Sequence, residues 1–212
     1  MAARTTLLRS LPGGPRASDP AALLAGIRAR DPVALAQLHD RFAGSVLRIL
    51  RRILGPDHEL EDLHHDVFVR ALRSIGDLRE PEALPGWLHA IAAHTAHGAI
   101  ERRTRRRRWG LFSVEAVQGQ PEPLHPGADL DAREALRVAY RMLDQLPTDE
   151  RVAFTLRYFD GMELTEVAQV SRVSLATIKR RLGRAEQQFR VLAGQSPVLA
   201  EYLEGGARWT RG

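Results

Sequence analysis

The sequence predicts an all-α protein of two small helical domains joined by a flexible linker. Apolar residues recur at helical spacing through most of the chain, and no segment alternates with period two for long enough to form a strand. The pattern stops between Trp109 and about Asp129, where glycine and proline are frequent. The 212 residues suit one domain or two small ones, each with its own core.

Helix boundaries in the first domain, predicted over residues 18–108, follow from prolines and glycines. Asp19 and Asp31 each precede a proline, a pattern typical of a helix N-terminus. Gly55, followed by proline, is predicted to end the second helix, and Gly76 to close the third. A fourth helix is predicted from the Leu-Pro-Gly-Trp phrase to the end of the domain.

The rest of the chain divides by composition into four further parts. The predicted parts are a disordered basic arm at 1–17, a flexible linker at 109–130, a second helical domain at 131–195 and a tail at 196–212. In the second domain, helices are expected on both sides of Pro147, and Gly161 ends the later one.

A helix, a tight turn and a second helix are predicted over residues 161–189. Val167 and Ala168 supply the apolar side of the first helix, and Ser174 is a suitable N-cap for the second. The second helix is apolar on one side and cationic on the other, which suits insertion into a DNA major groove. The predicted DNA-contacting residues are Ser174, Thr177, Lys179, Arg180, Arg181 and Arg184.

Six arginines occur within residues 101–108, at the end of the fourth helix. Because so many cations repel one another, a polyanionic partner is favoured over a merely solvated helix end. Histidine and tryptophan just upstream offer stacking surfaces for unpaired bases, although the tryptophan could equally fill the core. The predicted single-strand contacts are Trp87, His94, His97, Arg102, Arg103, Arg105 and Arg106.

Acidic and histidine residues are concentrated at 57–66, where Asp62 and Asp66 lie one helical turn apart. Such a face is more often solvated, or docked on a cationic partner, than a metal site, so no metal is predicted. No nucleophile–base order, P-loop or glycine-rich nucleotide turn is present, which predicts a protein that is not an enzyme and needs no cofactor or small-molecule substrate.

Composition narrows the class of protein further. The chain has no cysteine, which excludes disulfides and thiolate metal sites and fits a cytoplasmic location. No apolar run is long enough to cross a membrane. Its positive charge is mostly arginine, which suits phosphate contacts or simply reflects a GC-rich genome.

Taken together, these phrases resemble bacterial RNA polymerase sigma factors of the extracytoplasmic-function group, in the sigma-70 superfamily. The resemblance covers about residues 20–108 and 131–192, with four family phrases in their usual order on either side of the linker. It implies that the first domain is region 2 and the second is region 4, both helical, and that the partners are core RNA polymerase and promoter DNA. It further implies that region 2 holds the opened −10 strand and that region 4 reads the −35 duplex.

The same resemblance assigns core polymerase binding to the acidic helix, at Glu61, Asp62, His65 and Asp66. Many members are held by an anti-sigma factor, and whether this chain has one stays open. Several residues depart from the family pattern, and three of the departures bear on DNA reading. His94 stands where an Asn often reads a flipped base, Arg172 lies in a turn where glycine is usual, and Gly183 removes a side chain that often faces DNA.

Two other functions remain open at this point. One is an ordinary helix-turn-helix regulator that never touches polymerase, against which the acidic helix argues. The other is a divergent sigma-like protein that docks on polymerase but opens no promoter, supported by the departures at His94 and Arg172. If His94 reads the opened strand, promoter opening is expected to depend on pH between about 6 and 8.

Overall fold

The computed structural model describes residues 19–109, called here the N-terminal half, and residues 130–199, called the C-terminal half. The predicted basic arm, most of the predicted linker and most of the predicted tail lie outside the described residues. Every regular element within the two halves is helical, as the sequence predicts.

The N-terminal half contains four α-helices. They are α1 (Pro20–Arg28), α2 (Pro32–Leu54), α3 (Leu60–Ser74) and α4 (Leu84–Arg108). Asp19 and Asp31 cap the first two, since their carboxylates accept from the backbone N–H groups of Ala21 at 2.9 Å and Val33 at 3.1 Å. Both predicted N-termini are therefore confirmed.

The end of α3 differs from the prediction. Gly76 does not close the helix in a left-handed conformation, because the positive-φ glycines among the described residues are Gly55 and Gly161. Instead, α3 tightens into a 3₁₀ turn over Ile75–Asp77, closed by the Leu78 N–H donating to the Ile75 carbonyl at 3.3 Å. This turn keeps Ile75 and Leu78 buried, so packing of these two side chains decides the helix end.

The core of the N-terminal half is aliphatic. Along α2, Val46, Ile49, Leu50 and Ile53 are all 0% exposed, and α1, α3 and α4 all pack against α2. Burying each of these side chains stabilises the fold by about 1.5–3 kcal/mol relative to leaving it exposed.

The C-terminal half also contains four α-helices. They are α5 (Leu130–Leu143), α6 (Thr148–Phe154), α7 (Leu164–Ser171) and α8 (Leu175–Gly194). A π-helical turn, Thr155–Phe159, continues α6 and ends with the Asp160 N–H donating to the Thr155 carbonyl at 3.0 Å. Gly161, with φ 77°, then reverses the chain, as expected from the sequence.

The two halves share one apolar cluster. Val152, Leu156, Val167 and Ile178 of the C-terminal half belong to the same cluster as the α2 and α4 side chains. Contacts run from α4 to α6 and α7, and from α2 to the π-helical turn. The boundary between the predicted domains therefore carries a packed interface, which helical periodicity does not reveal.

Within residues 19–109 and 130–199, no helix combines the length and the apolar character that crossing a membrane requires.

Candidate nucleic-acid interface

The predicted helix-turn-helix is formed by α7 and α8. Arg172 occupies its turn at φ 53° and ψ 42°, a left-handed conformation, at the position where the sequence resemblance leads one to expect glycine. Its backbone N–H donates to the Gln169 carbonyl, and the Val173 N–H donates to the Ala168 carbonyl, both at 3.1 Å. The turn is thus retained with arginine in it, at a conformational cost of roughly 1–2 kcal/mol.

The recognition helix α8 starts as predicted. The Ser174 hydroxyl accepts from the Thr177 N–H at 3.2 Å and caps the helix. Ile178, Leu182 and Ala185 are buried and set the rotation of α8. The opposite side is left to solvent, and Gly183 lies there with open space around it.

The cations predicted on α8 fall into two groups. Lys179, Arg180 and Arg184 are exposed, so their charges face solvent, where a DNA backbone could reach them. Arg181 is half-buried, and its Nη2 lies 2.5 Å from Oδ2 of Asp149 on α6. Lys179 and Arg180 therefore face solvent. Arg184 is exposed but places its Nη1 3.9 Å from Oε1 of Glu150, and Arg181 is directed toward Asp149.

Along α4, the predicted single-strand contacts also have different surroundings. His94 is exposed, while His97 places its Nε2 3.2 Å from Oδ1 of Asp149. Trp87 is half-buried and packs against the shared apolar cluster, consistent with a core role. Although the His94 side chain reaches solvent, desolvation by the atoms packed around its ring, then the nearby Arg172 and His97, lowers the pKa of His94 from its ordinary 6.5. The pH range expected for His94 therefore moves below 6.5.

The arginine run at the end of α4 is not uniform. Arg105 and Arg106 are exposed, whereas Arg102 is half-buried. Arg103 forms a forked ion pair with Asp57, Nη2 lying 2.9 Å from Oδ1, and a second ion pair with Glu59. These hydrogen bonds raise the pKa of Arg103 despite its burial, and the bond from Arg103 lowers the pKa of Glu59. Arg103 joins α4 to the α2–α3 connection.

The acidic face of α3 is presented to solvent. Glu61, Asp62, His65 and Asp66 are all exposed, while Leu63 and Val67 turn inward. In the described residues, no group of three or more histidine or acidic side chains is placed to hold a metal ion.

Two residues at these surfaces were not singled out from the sequence. Trp109, directly after the arginine run, is 79% exposed and offers an aromatic face for base stacking. Asp149 links His97 and Arg181, and thereby connects the two predicted DNA-contacting surfaces. An aromatic residue beside a cationic run was a usable signal for Trp109, whereas Asp149 looked like an ordinary first-turn carboxylate.

Comparison with known proteins matches both halves. The family model for sigma-70 region 2 matches residues 38–108, and that for sigma-70 region 4 matches residues 136–189. The ECF RNA polymerase sigma factor SigE of Mycolicibacterium smegmatis is 32% identical over 162 residues, which cover 73% of this chain and 59% of that protein. The ECF RNA polymerase sigma-E factor of Escherichia coli K12 is 25% identical over 173 residues, covering 78% and 89%.

The fold has a counterpart among solved structures. The sigma factor RpoE of Bartonella quintana, in complex with the anti-sigma factor NepR, aligns with a TM-score of 0.56 at 21% identity, covering 74% of this chain and 94% of that chain.

The two family models and the similarity to SigE show that the chain belongs to the sigma-70 family, in its extracytoplasmic-function group.

Proposed function

We propose that this chain is a transcription initiation factor that binds core RNA polymerase, directs it to particular promoters and stabilises the opened −10 strand. The proposal rests on family membership and on the pairing of a cationic recognition helix with an acidic docking helix. In it, the chain has no active site of its own and acts in the cytoplasm beside polymerase.

The exposed acidic face of α3 is the observation that favours this function over an ordinary helix-turn-helix regulator. A regulator that binds only DNA would gain nothing from acidic side chains at 61–66, since they repel phosphate. Leu63 and Val67 hold the helix against the core, so the acidic side chains can meet a cationic partner without unfolding the helix.

Duplex and single-strand recognition are assigned to separate surfaces in this proposal. Lys179, Arg180 and Arg184 contact the −35 duplex, with Ser174 and Thr177 at phosphates. The opened strand lies along His94 and the exposed arginines of α4, with Trp109 added as a stacking surface. Holding unstacked bases offsets an opening cost of a few kcal/mol per step, so no nucleotide hydrolysis is needed.

An inhibitory protein partner is part of the proposal, because the B. quintana sigma factor of similar fold was solved with an anti-sigma factor. The resemblance to that structure concerns the fold, so the identity of such a partner for this chain stays open.

Charge reversal on α3 tests polymerase docking. The double substitution Asp62→Lys and Asp66→Lys should weaken binding to core RNA polymerase by more than 100-fold, because like charges at a docked surface cost several kcal/mol. The matched control is Glu80→Lys with Glu82→Lys, which changes the net charge equally at two exposed positions before α4. Equal losses, or none, in biolayer interferometry with immobilised core polymerase would contradict docking through α3.

A further inference from the structure

The turn of the helix-turn-helix presents Arg172 to solvent. Val173, the next residue, packs against the shared apolar cluster and holds the turn on the core, whereas the Arg172 side chain is exposed. Glycine adopts the left-handed backbone of this position without penalty, and arginine does not. The arginine therefore lowers the stability of the turn, as residues with a binding role often do.

The strained backbone alone does not indicate a binding role, because a second arginine shares it. Arg30, in the turn between α1 and α2, has φ 57°, and its side chain is also exposed. The two arginines differ in position. Arg172 lies two residues before Ser174, the N-cap of the recognition helix α8, whereas Arg30 lies in the N-terminal half.

The positive charge of Arg172 also differs from that of the arginines on α8. Arg181 is paired with Asp149, and Nη1 of Arg184 lies 3.9 Å from Oε1 of Glu150. In the described parts of the chain, no acidic side chain forms an ion pair with Arg172. Within those parts, its charge is therefore not neutralised by a carboxylate and can attract an anion.

The start of α8 favours an anion as well. The backbone N–H groups at a helix N-terminus carry partial positive charge, and the hydroxyls of Ser174 and Thr177 lie there, 2.9 Å apart. When a recognition helix enters the major groove, the residues just before it lie near the edge of the groove, where the phosphates run. The long, forked side chain of arginine can reach a phosphate from there, whereas glycine has no side chain to do so.

We propose that Arg172 is an additional DNA-binding residue, whose guanidinium binds a backbone phosphate of the −35 duplex beside the start of α8. The inference rests on the proposed function, since it requires α8 to bind duplex DNA. A phosphate contact is independent of sequence, so it strengthens binding without changing which bases are read. Glycine at this position gives the more stable turn, and arginine gives the tighter complex.

The substitution Arg172→Gly separates these two effects in the full chain. Thermal melts followed by circular dichroism should show a melting temperature about 1–4 °C higher, because relief of the left-handed backbone outweighs the greater freedom of glycine in the unfolded chain. Binding to a fluorescein-labelled DNA duplex of random sequence, measured by fluorescence anisotropy, should weaken about two- to fivefold. The salt dependence of the binding constant, on logarithmic axes, should become shallower by about one, as expected for one lost phosphate contact.

Three further variants serve as controls. Arg30→Gly removes the same charge from the same backbone conformation in the other half, so it should raise the melting temperature but leave the salt dependence unchanged. Arg172→Lys keeps the charge at the turn and should keep the salt dependence of wild type. Lys179→Ala, on the proposed duplex surface, reports independently whether α8 binds DNA.

The outcomes distinguish this contact from the proposed function. A salt dependence made shallower by Arg172→Gly, but not by Arg30→Gly or Arg172→Lys, supports the phosphate contact. If Lys179→Ala makes it shallower and Arg172→Gly does not, the contact is overturned and the proposed function stands. Equal weakening by Arg172→Gly and Arg30→Gly also overturns the contact, since net charge then explains the binding. If Lys179→Ala changes neither affinity nor salt dependence, the duplex surface of the proposed function is overturned together with the contact.

Discussion

The two halves bury different kinds of side chain. The N-terminal half buries aliphatic side chains around α2, together with the polar side chains of Thr95 and Asp57. The C-terminal half buries Thr148, Glu150, Arg151 and Thr155, all on α6 or the turn that continues it. Polar burial is thus concentrated in one short helix that touches both halves.

The position of α6 explains this difference. It packs against α8 of its own half and against α4 of the other half, so it has little surface left for solvent. Buried polar groups are costly unless they are hydrogen-bonded. Arg151 meets that requirement with carbonyls of α2, and the Thr155 hydroxyl donates to the Arg151 carbonyl at 2.9 Å. These hydrogen bonds lie beside the apolar cluster that the two halves share.

The largest expected effect is a loss of stability, and it should differ between the shared apolar cluster and the smaller cluster of the C-terminal half. Leu50→Ala removes a fully buried side chain of the shared cluster and should destabilise the chain toward the upper end of about 2–5 kcal/mol. Met142→Ala, at the smaller cluster of the C-terminal half, should fall toward the lower end of that range. Urea denaturation followed by circular dichroism measures both values. Equal losses would remove the distinction between the halves.

Much of the fold was predictable because it depends on short-range signals. The caps at Asp19, Asp31 and Ser174 and the turn at Gly161 lie within a few residues of the groups they satisfy. Helical apolar spacing identified α2 and α8 for the same reason. The helix α3 ends next to Gly76, as predicted, but it ends through a 3₁₀ turn over Ile75–Asp77 and not through a left-handed glycine.

The surroundings of the candidate site residues were less predictable. Arg103 was predicted, with its neighbours, to contact single-stranded DNA. In the structure it forms ion pairs with carboxylates that lie more than forty residues earlier in the chain. His97 and Asp149 are 52 positions apart. No periodicity relates such pairs, since they meet only when α4 packs on α2 and α6. The site residues themselves stay predictions, with their geometry now described.

A smaller effect tests whether Arg103 is structural. Arg103→Ala leaves Asp57, whose side chain is 4% exposed, without its guanidinium partner and should cost about 1–3 kcal/mol of stability. The neighbouring control Arg105→Ala, at an exposed position, should change the free energy of unfolding by less than about 0.5 kcal/mol. It should instead weaken binding of a single-stranded dT20 oligonucleotide.

Acid should reduce the difference in stability between wild type and Arg103→Ala. Arg103 lowers the folded-state pKa of Glu59 below its ordinary 4.5, so this contribution is present above pH 4.5 and is lost as pH falls through the lowered value. Thermal melts at pH 7 and pH 4 measure the difference in melting temperature between wild type and Arg103→Ala. A gap that widens in acid would contradict the pairing.

The smallest expected effect concerns His94, which lies where the halves meet. Its neighbours across the interface are Arg172 and Asp149, and His97 lies one turn away on α4. Because desolvation of the ring, Arg172 and His97 all favour the neutral form, NMR should find the pKa of His94 below 6.5 in the full chain. The stability this provides is complete above pH 6.5 and is lost as pH falls through the lowered value.

Removing the charge at Arg172 sharpens this test. Arg172→Ala should raise the pKa of His94 toward 6.5, because the guanidinium that opposes protonation of His94 is gone. Arg184→Ala removes an equal charge from an exposed position of α8 that does not contribute to the His94 shift, and should leave the pKa unchanged. If both substitutions move the pKa equally, His94 senses only the net charge of the chain. If only Arg172→Ala moves the pKa, the helix-turn-helix lies against α4 in solution. Acid then places a protonated His94 beside Arg172, and the repulsion between the two charges weakens that contact.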